Sequence, residues 1–245
     1  MTVVTTRAGT LPVDEFVEDL VSTMRSLKRP KPSRLMVGIF TGKAPVEAVA
    51  RYTLEQYAYS RFAVNCIAAA IARMLERDNF LMLSENFSRE AGFYQTGNHV
   101  EILVNFGEAL GLTREQIESH TPLPETLGAM YTLAYFCNRS AAEAVASFSI
   151  ATEARGEILS ENKDGTVTIP PFSEVFKRNY GLSDDAVAFW KLHEEIEGDD
   201  AEQGFKMIRA YADSAYNQHL IRQAVVHTSL TFDAMWYSWD RFLDE

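Results

Sequence analysis

The stretch VEAVARYTLEQYAYSRFAVNCIAAAIARML, from Val46 to Leu75, contains no glycine or proline. Its apolar residues keep a period near 3.6, that of a helix with one buried face, so it reads as one long helix or two consecutive ones. Toward the N-terminus, Phe16, Leu20, Val21 and Met24 repeat the same spacing from Val13 to about Arg29, and Pro30 and Pro32 end it. Toward the C-terminus the pattern predicts helices near 79–91, 98–110, 124–138, 140–158, 183–212 and 215–242. Breakers separate most of them: Gly92 and Gly97, Gly111, Pro122 and Pro124, and the run from Asn162 to Pro171. Only Thr166 to Ile169 alternates with period two, so a sheet has no material. The expectation is an all-α fold of about seven main helices. It is expected as one domain over 1–245, with an N-terminal helix and loop over 1–44 and a helical bundle over 45–245.

Composition narrows the function. The 245 residues are 47% hydrophobic and 23% charged, as in an ordinary globular chain, and thirteen glycines and eight prolines are few for an all-β fold. A net charge of −11 opposes nucleic acid or anionic lipid as partner, since those surfaces are held by clustered Lys and Arg. The longest nearly apolar run, Phe62 to Ala72, contains Asn65 and is far short of the ~20 residues a membrane helix needs. The first twenty residues carry Asp14, Glu15, Glu18 and Asp19 and no apolar core of a signal peptide, which predicts a cytoplasmic protein. Cys66 and Cys137 stand in apolar helical contexts without a CxxC partner and read as buried thiols.

Phosphate-binding glycine loops, the nucleophile elbow and the His-Glu-x-x-His zinc helix are absent, which leaves acids and histidines to carry chemistry. Glu90 closes one predicted helix, where the macrodipole disfavours a carboxylate, and His99 opens the next, with Asn98 and Glu101 making a near capping box. Glu90 reads either as the partner of a nearby Arg or as a ligand facing His99. Glu153 interrupts the apolar run that includes Ala144, Val145, Ala146, Phe148, Ile150 and Ala151, and a buried carboxylate needs a cation, a raised pKa or a metal. Arg155 and Arg139 are the alternative partners. His193, Glu197 and Asp200 fall at i, i+4 and i+7, within about 60° on a helical wheel. Imidazole with carboxylates suits iron, manganese or zinc. A solvated acidic face is the plainer reading, and Gly198 threatens to end the helix and turn Asp199 or Asp200 into a cap. His120, His219 and His227 show no comparable acid partner on one face, and His227 reads as a core or pocket-lining residue.

The segments Ser84-Glu85-Asn86-Phe87-Ser88-Arg89-Glu90-Ala91-Gly92, Asn98-His99-Val100-Glu101-Ile102-Leu103 and Gly107-Glu108-Ala109-Leu110-Gly111-Leu112 resemble the haem-oxygenase-like diiron oxidases. That superfamily also holds TenA-type thiaminases and the PqqC-type oxidases of pyrroloquinoline quinone synthesis. The likeness runs from about Arg51 to the C-terminus. It implies a haem-oxygenase-like bundle whose metal ligands are Glu90, His99, Glu153 and a stripe of His193, Glu197 and Asp200. Glu197 stands where the family pattern has Asp, and Asp200 stands where it has a second His, which removes a nitrogen ligand from one metal position. The thiaminase branch would place a nucleophilic Cys between Ala146 and Glu153, and the cofactorless branch a His at Ile158; neither is present.

The resemblance thus implies two ferrous ions, with O₂ as co-substrate, acting on a small substrate such as an amino acid or fatty acid in specialised metabolism. The outcomes it implies are desaturation, N-oxygenation or C–C cleavage, and the assembly a homodimer. A cofactorless oxidase and a non-catalytic helical binding protein are the alternatives.

Overall fold

The computed structural model describes residues 10–29, 31–92, 99–155, 158 and 170–244, and for 195–200 the helical backbone alone. The described residues contain helices and no strand. In chain order these are α1 (Val13–Leu27), α2 (Arg34–Thr41), α3 (Val46–Ile71), α4 (Arg77–Glu90), α5 (His99–Ala109), α6 (Arg114–Glu118), α7 (Pro124–Cys137) and α8 (Ala141–Val145). The last runs directly into a π-helical segment, Ala146–Glu153. Then come α9 (Phe172–Tyr180), α10 (Ala188–Tyr211), α11 (Ala215–Ser238) and a 3₁₀ turn, Trp239–Leu243. The Thr166–Ile169 stretch lies outside the described residues.

The expected count of seven main helices is too low; there are about twelve helical segments among the described residues. The additions are short, and two turns are too few to establish a hydrophobic period. Their capping signals are nevertheless in the sequence. Ser33 accepts the Met36 N–H at the start of α2, inside what reads as an N-terminal loop, and Gly42 ends it with φ +69°. Thr113 and Gln116 form a reciprocal capping box at α6. Val46–Ile71 is one helix, which decides the alternative left open by its period.

α11 packs against α7 and the π segment, α10 against the π segment, and α3 against α7, α5 and α4. Phe16, Leu20 and Met24 of α1 are fully buried. Tyr52 of α3 meets Trp190, Trp236 and Trp239 at 5.9, 5.9 and 5.3 Å between ring centroids, so the aromatic-rich C-terminus is packing. Both cysteines are free and buried. Among the described residues, no helix is long and apolar enough to cross a membrane.

His120 shows no acid partner on its own stretch of chain, but it has one across the fold. Its Nε2 lies 2.7 Å from Oε1 of Glu55, a residue only 1% exposed, and both Glu55 oxygens accept the Leu123 N–H at 3.2 Å. The pairing could not be read from one helix face because the two residues sit on different elements. His219 is exposed, and so is His227, which is therefore not the core or pocket-lining residue expected: it shares an exposed stripe of α11 with Gln223 and Leu230, its ring stacked on Phe136.

Candidate metal centre

Glu90 is the last residue of α4 and His99 the first described residue of α5, so the two side chains meet from the end of one helix and the start of the next. Asn98, read as the cap of α5, lies outside the described residues. Glu90 Oε2 stands 2.9 Å from His99 Nδ1. The contact is not in line with the ring N–H: neither nitrogen of His99, a residue 2% exposed, has an aligned hydrogen-bond partner. Burial pushes the Glu90 carboxyl upward, but the His99 contact and the charges of His99, His193 and Arg89 outweigh it and hold it below the usual range.

His193 comes from α10. Its Nδ1 is 2.8 Å from the Phe189 carbonyl one turn earlier. A carbonyl can only accept, so in the neutral ring the proton is on Nδ1 and the lone pair on Nε2, the arrangement a metal-ligating histidine needs. Burial lowers the pKa of His193 against the opposing pull of Glu90, which favours the neutral ring. Its ring lies 5.0 Å from that of His99 and packs 4.2 Å from Phe189. One donor atom each from Glu90, His99 and His193 lies within 4.8 Å of the others. Two imidazoles and a carboxylate are a donor set suited to iron, and a buried imidazole with unaligned nitrogens fits a site that a cation would complete.

Glu153 is not in that group of three. It ends the π segment, accepts the Thr152 hydroxyl at 3.3 Å, and borders a cavity of about 10 Å³, room for one water. Asn86 of α4 and Gln203 of α10 line the same cavity. The arginines considered for Glu153 bond elsewhere, Arg155 to Asp233 in a buried pair and Arg139 to Glu143. Tyr59 of α3 lies near Glu153; burial first, and then the Glu153 charge, push its hydroxyl pKa well up. Asn86, Gln203 and Tyr59 escaped the sequence reading. The one available hint is that Asn86 sits a helical turn before Glu90.

Gly198 does not end its helix. α10 runs unbroken from Ala188 to Tyr211, so neither Asp199 nor Asp200 caps a new helix. Positions 193, 197, 200 and 204 therefore share one face at successive turns. The side chains of Glu197 and Asp200 lie outside the described residues. The π segment is a second feature that composition does not announce: it widens the turn before Glu153 and shifts that residue off the α-helical face its sequence context suggests.

A family model described as an iron-containing redox enzyme matches residues 50–234. Among solved structures, a domain of unknown function with a heme oxygenase-like fold from Shewanella denitrificans superposes with a TM-score of 0.68 at 17% identity, covering 95% of each chain. A TenA homolog from Pseudomonas syringae gives 0.69 at 15%, covering 98% of this chain and 100% of that one. A CADD-like protein of unknown function from Nostoc punctiforme gives 0.70 at 14%, covering 95% and 100%. At these identities the structures show the haem-oxygenase-like fold alone. No curated protein matches the chain.

Proposed function

The chain belongs to the iron-containing redox enzyme family, and from that premise we propose that it is an O₂-dependent, non-haem diiron oxidase or oxygenase of a small substrate, such as an amino-acid derivative, in specialised metabolism. The observation that carries this reading is the convergence of Glu90, His99 and His193 from three helices, with the buried His99 lacking an aligned partner. Such a group costs free energy in an apolar interior unless something binds it. Glu90, His99 and His193 would hold one ferrous ion, and Glu153, Glu197 and Asp200 a second with carboxylate donors. Bound iron would supply the O₂ activation behind desaturation, N-oxygenation or C–C cleavage.

The chain's own contribution is positioning and protonation. The Phe189 carbonyl fixes the tautomer and ring orientation of His193. Phe189 on one side and the buried His99 on the other limit water at the donor atoms. Tyr59, kept protonated by its burial, holds a proton on Oη near Glu153.

Anaerobic reconstitution with Fe(II) followed by metal counting tests the proposal. Two equivalents support the dinuclear reading, and Glu153→Ala should then lose iron. About one equivalent would assign the iron to Glu90, His99 and His193 alone. No bound iron ends the proposal, and O₂ consumption without metal would favour a cofactorless oxidase. Screening amino and fatty acids for O₂ uptake by the loaded protein addresses the substrate.

A further inference from the structure

Gly204 lies eleven residues beyond His193 on α10, which at about 100° per residue returns it to the His193 face. A Cβ at this position would stand 3.0 Å from Ser149 Cβ, 3.1 Å from the Ser149 carbonyl oxygen and 3.3 Å from Ile150 Cδ1. Ser149 sits within the π segment, and its carbonyl accepts the Ala154 N–H at 3.1 Å, the i→i−5 bond of the widened turn that carries Glu153. Two side chains hold this turn in place. Thr152 Oγ1 donates to the Phe148 carbonyl at 2.5 Å, and Ser147 Oγ is 2.7 Å from Thr228 Oγ1 on α11. Relaxation of the segment to an α-helix would rotate Glu153 by about one residue, or 100°.

We propose that the contact of Gly204 with Ser149 is a spacer that sets how closely the His193 face of α10 approaches the π segment, and so fixes Glu153 relative to His193. Gly204 and Ser149 are positioning residues in this scheme. The inference rests on the metal reading of Glu153 and His193. Glycine is a poor residue for the interior of a long helix, and at 204, unlike at Gly128, a Cβ would meet three atoms at 3.0–3.3 Å, closer than side chains ordinarily pack. The neighbour that blocks a larger side chain includes a backbone carbonyl already engaged in the π turn, which cannot rotate away. A side chain at 204 would therefore part the two segments by a few tenths of an ångström, whereas metal–ligand distances tolerate about 0.2 Å.

The test is anaerobic Co(II) titration of the apo-protein, read as affinity and visible ligand-field spectrum, beside the melting temperature of the apo-protein. Gly204→Ala is expected to weaken Co(II) binding about tenfold or more and to change the spectrum, with the apo melting temperature kept. Ser149→Gly added to Gly204→Ala removes the side-chain half of the clash and should recover part of both. Gly128→Ala, on a helix position where a Cβ meets nothing within 4 Å, should change neither. Wild-type affinity and spectrum in Gly204→Ala overturn the inference. So does a loss that merely parallels lost apo stability with the spectrum unchanged, which is what plain packing gives. If Gly204→Ala does not fold, Ser149→Val presses on the same contact from the other side, and unchanged Co(II) binding there overturns it equally. Wild-type protein that binds no Co(II) or Fe(II) sinks the metal reading itself, an outcome distinct from a wild type that binds and a Gly204 variant that binds as well.

Discussion

Two glutamate–histidine pairs in this protein, each with one buried and one half-buried member, have the same chemistry and opposite states of completion. Glu55 and His120 meet at 2.7 Å, and the Leu123 N–H supplies the further donor, so the carboxylate is satisfied and the pair clamps the entry of α7 onto α3. Glu90 and His99 meet at 2.9 Å, but the imidazole has no aligned partner, and a second imidazole stands 5.0 Å away. A closed pair is a structural joint. An open one, with extra donors converging on it, is a place for a third party. Distance alone does not separate them; satisfaction of the buried groups does.

The largest expected effect comes from breaking the closed pair. Glu55→Ala leaves the His120 ring and the Leu123 N–H without their acceptor, and should cost about 3 kcal/mol or more of unfolding free energy. The folded fraction should still bind metal at wild-type stoichiometry. His99→Ala should do the reverse, abolishing iron loading while the apo-protein unfolds within about 1–2 kcal/mol of wild type, since little bonding is lost. Chemical denaturation paired with metal analysis checks both. If His99→Ala destabilises the apo-protein as much as Glu55→Ala, the two pairs are alike and the comparison fails.

Next in size is the response to metal itself. Ferrous iron at about a hundred times its dissociation constant should stabilise the wild type by about 2.7 kcal/mol through mass action. Melting curves of Glu90→Gln should show a clearly smaller rise, and those of a surface control the full one.

A smaller effect is expected from pH. Burial lowers the folded-state pKa of His193 below its ordinary 6.5, so the unfolded chain binds the proton more readily than the folded one. The apo-protein should therefore lose stability as the pH falls below about 6.5 and toward the lowered folded value. Glu90, with its carboxyl held below the usual range, should add a further loss as acid protonates it. His193→Phe should flatten the upper part of this slope, and an unchanged pH profile in that variant would assign the slope to other groups.

The smallest effect belongs to an exposed pair. Arg114 lies 2.5 Å from Glu101, shorter than either glutamate–histidine contact, yet both side chains are open to solvent. Arg114→Ala should leave the denaturation midpoint and the iron content unchanged within error, because water screens what the short distance suggests.

Helical period and breaker residues determined much by themselves. They specify an all-α chain, the single long helix from Val46, and the helix end and helix start at which Glu90 and His99 stand, because each is a local property of spacing and capping. Short helices such as α6 escaped for the same reason, since their signal lies in the capping of Thr113 and Gln116 and not in a period. For the site, spacing left each residue with a plainer alternative, and the family resemblance supplied the candidate ligand set. Only the tertiary structure decided which acids and imidazoles share one place. It brings Glu90, His99 and His193 within reach of one another and gives His120 to Glu55. It carries α10 through Gly198 and inserts a π turn ahead of Glu153. These outcomes depend on how helices distant in sequence pack, and packing is settled by shape and by the satisfaction of buried groups across the whole core, which no window of sequence contains.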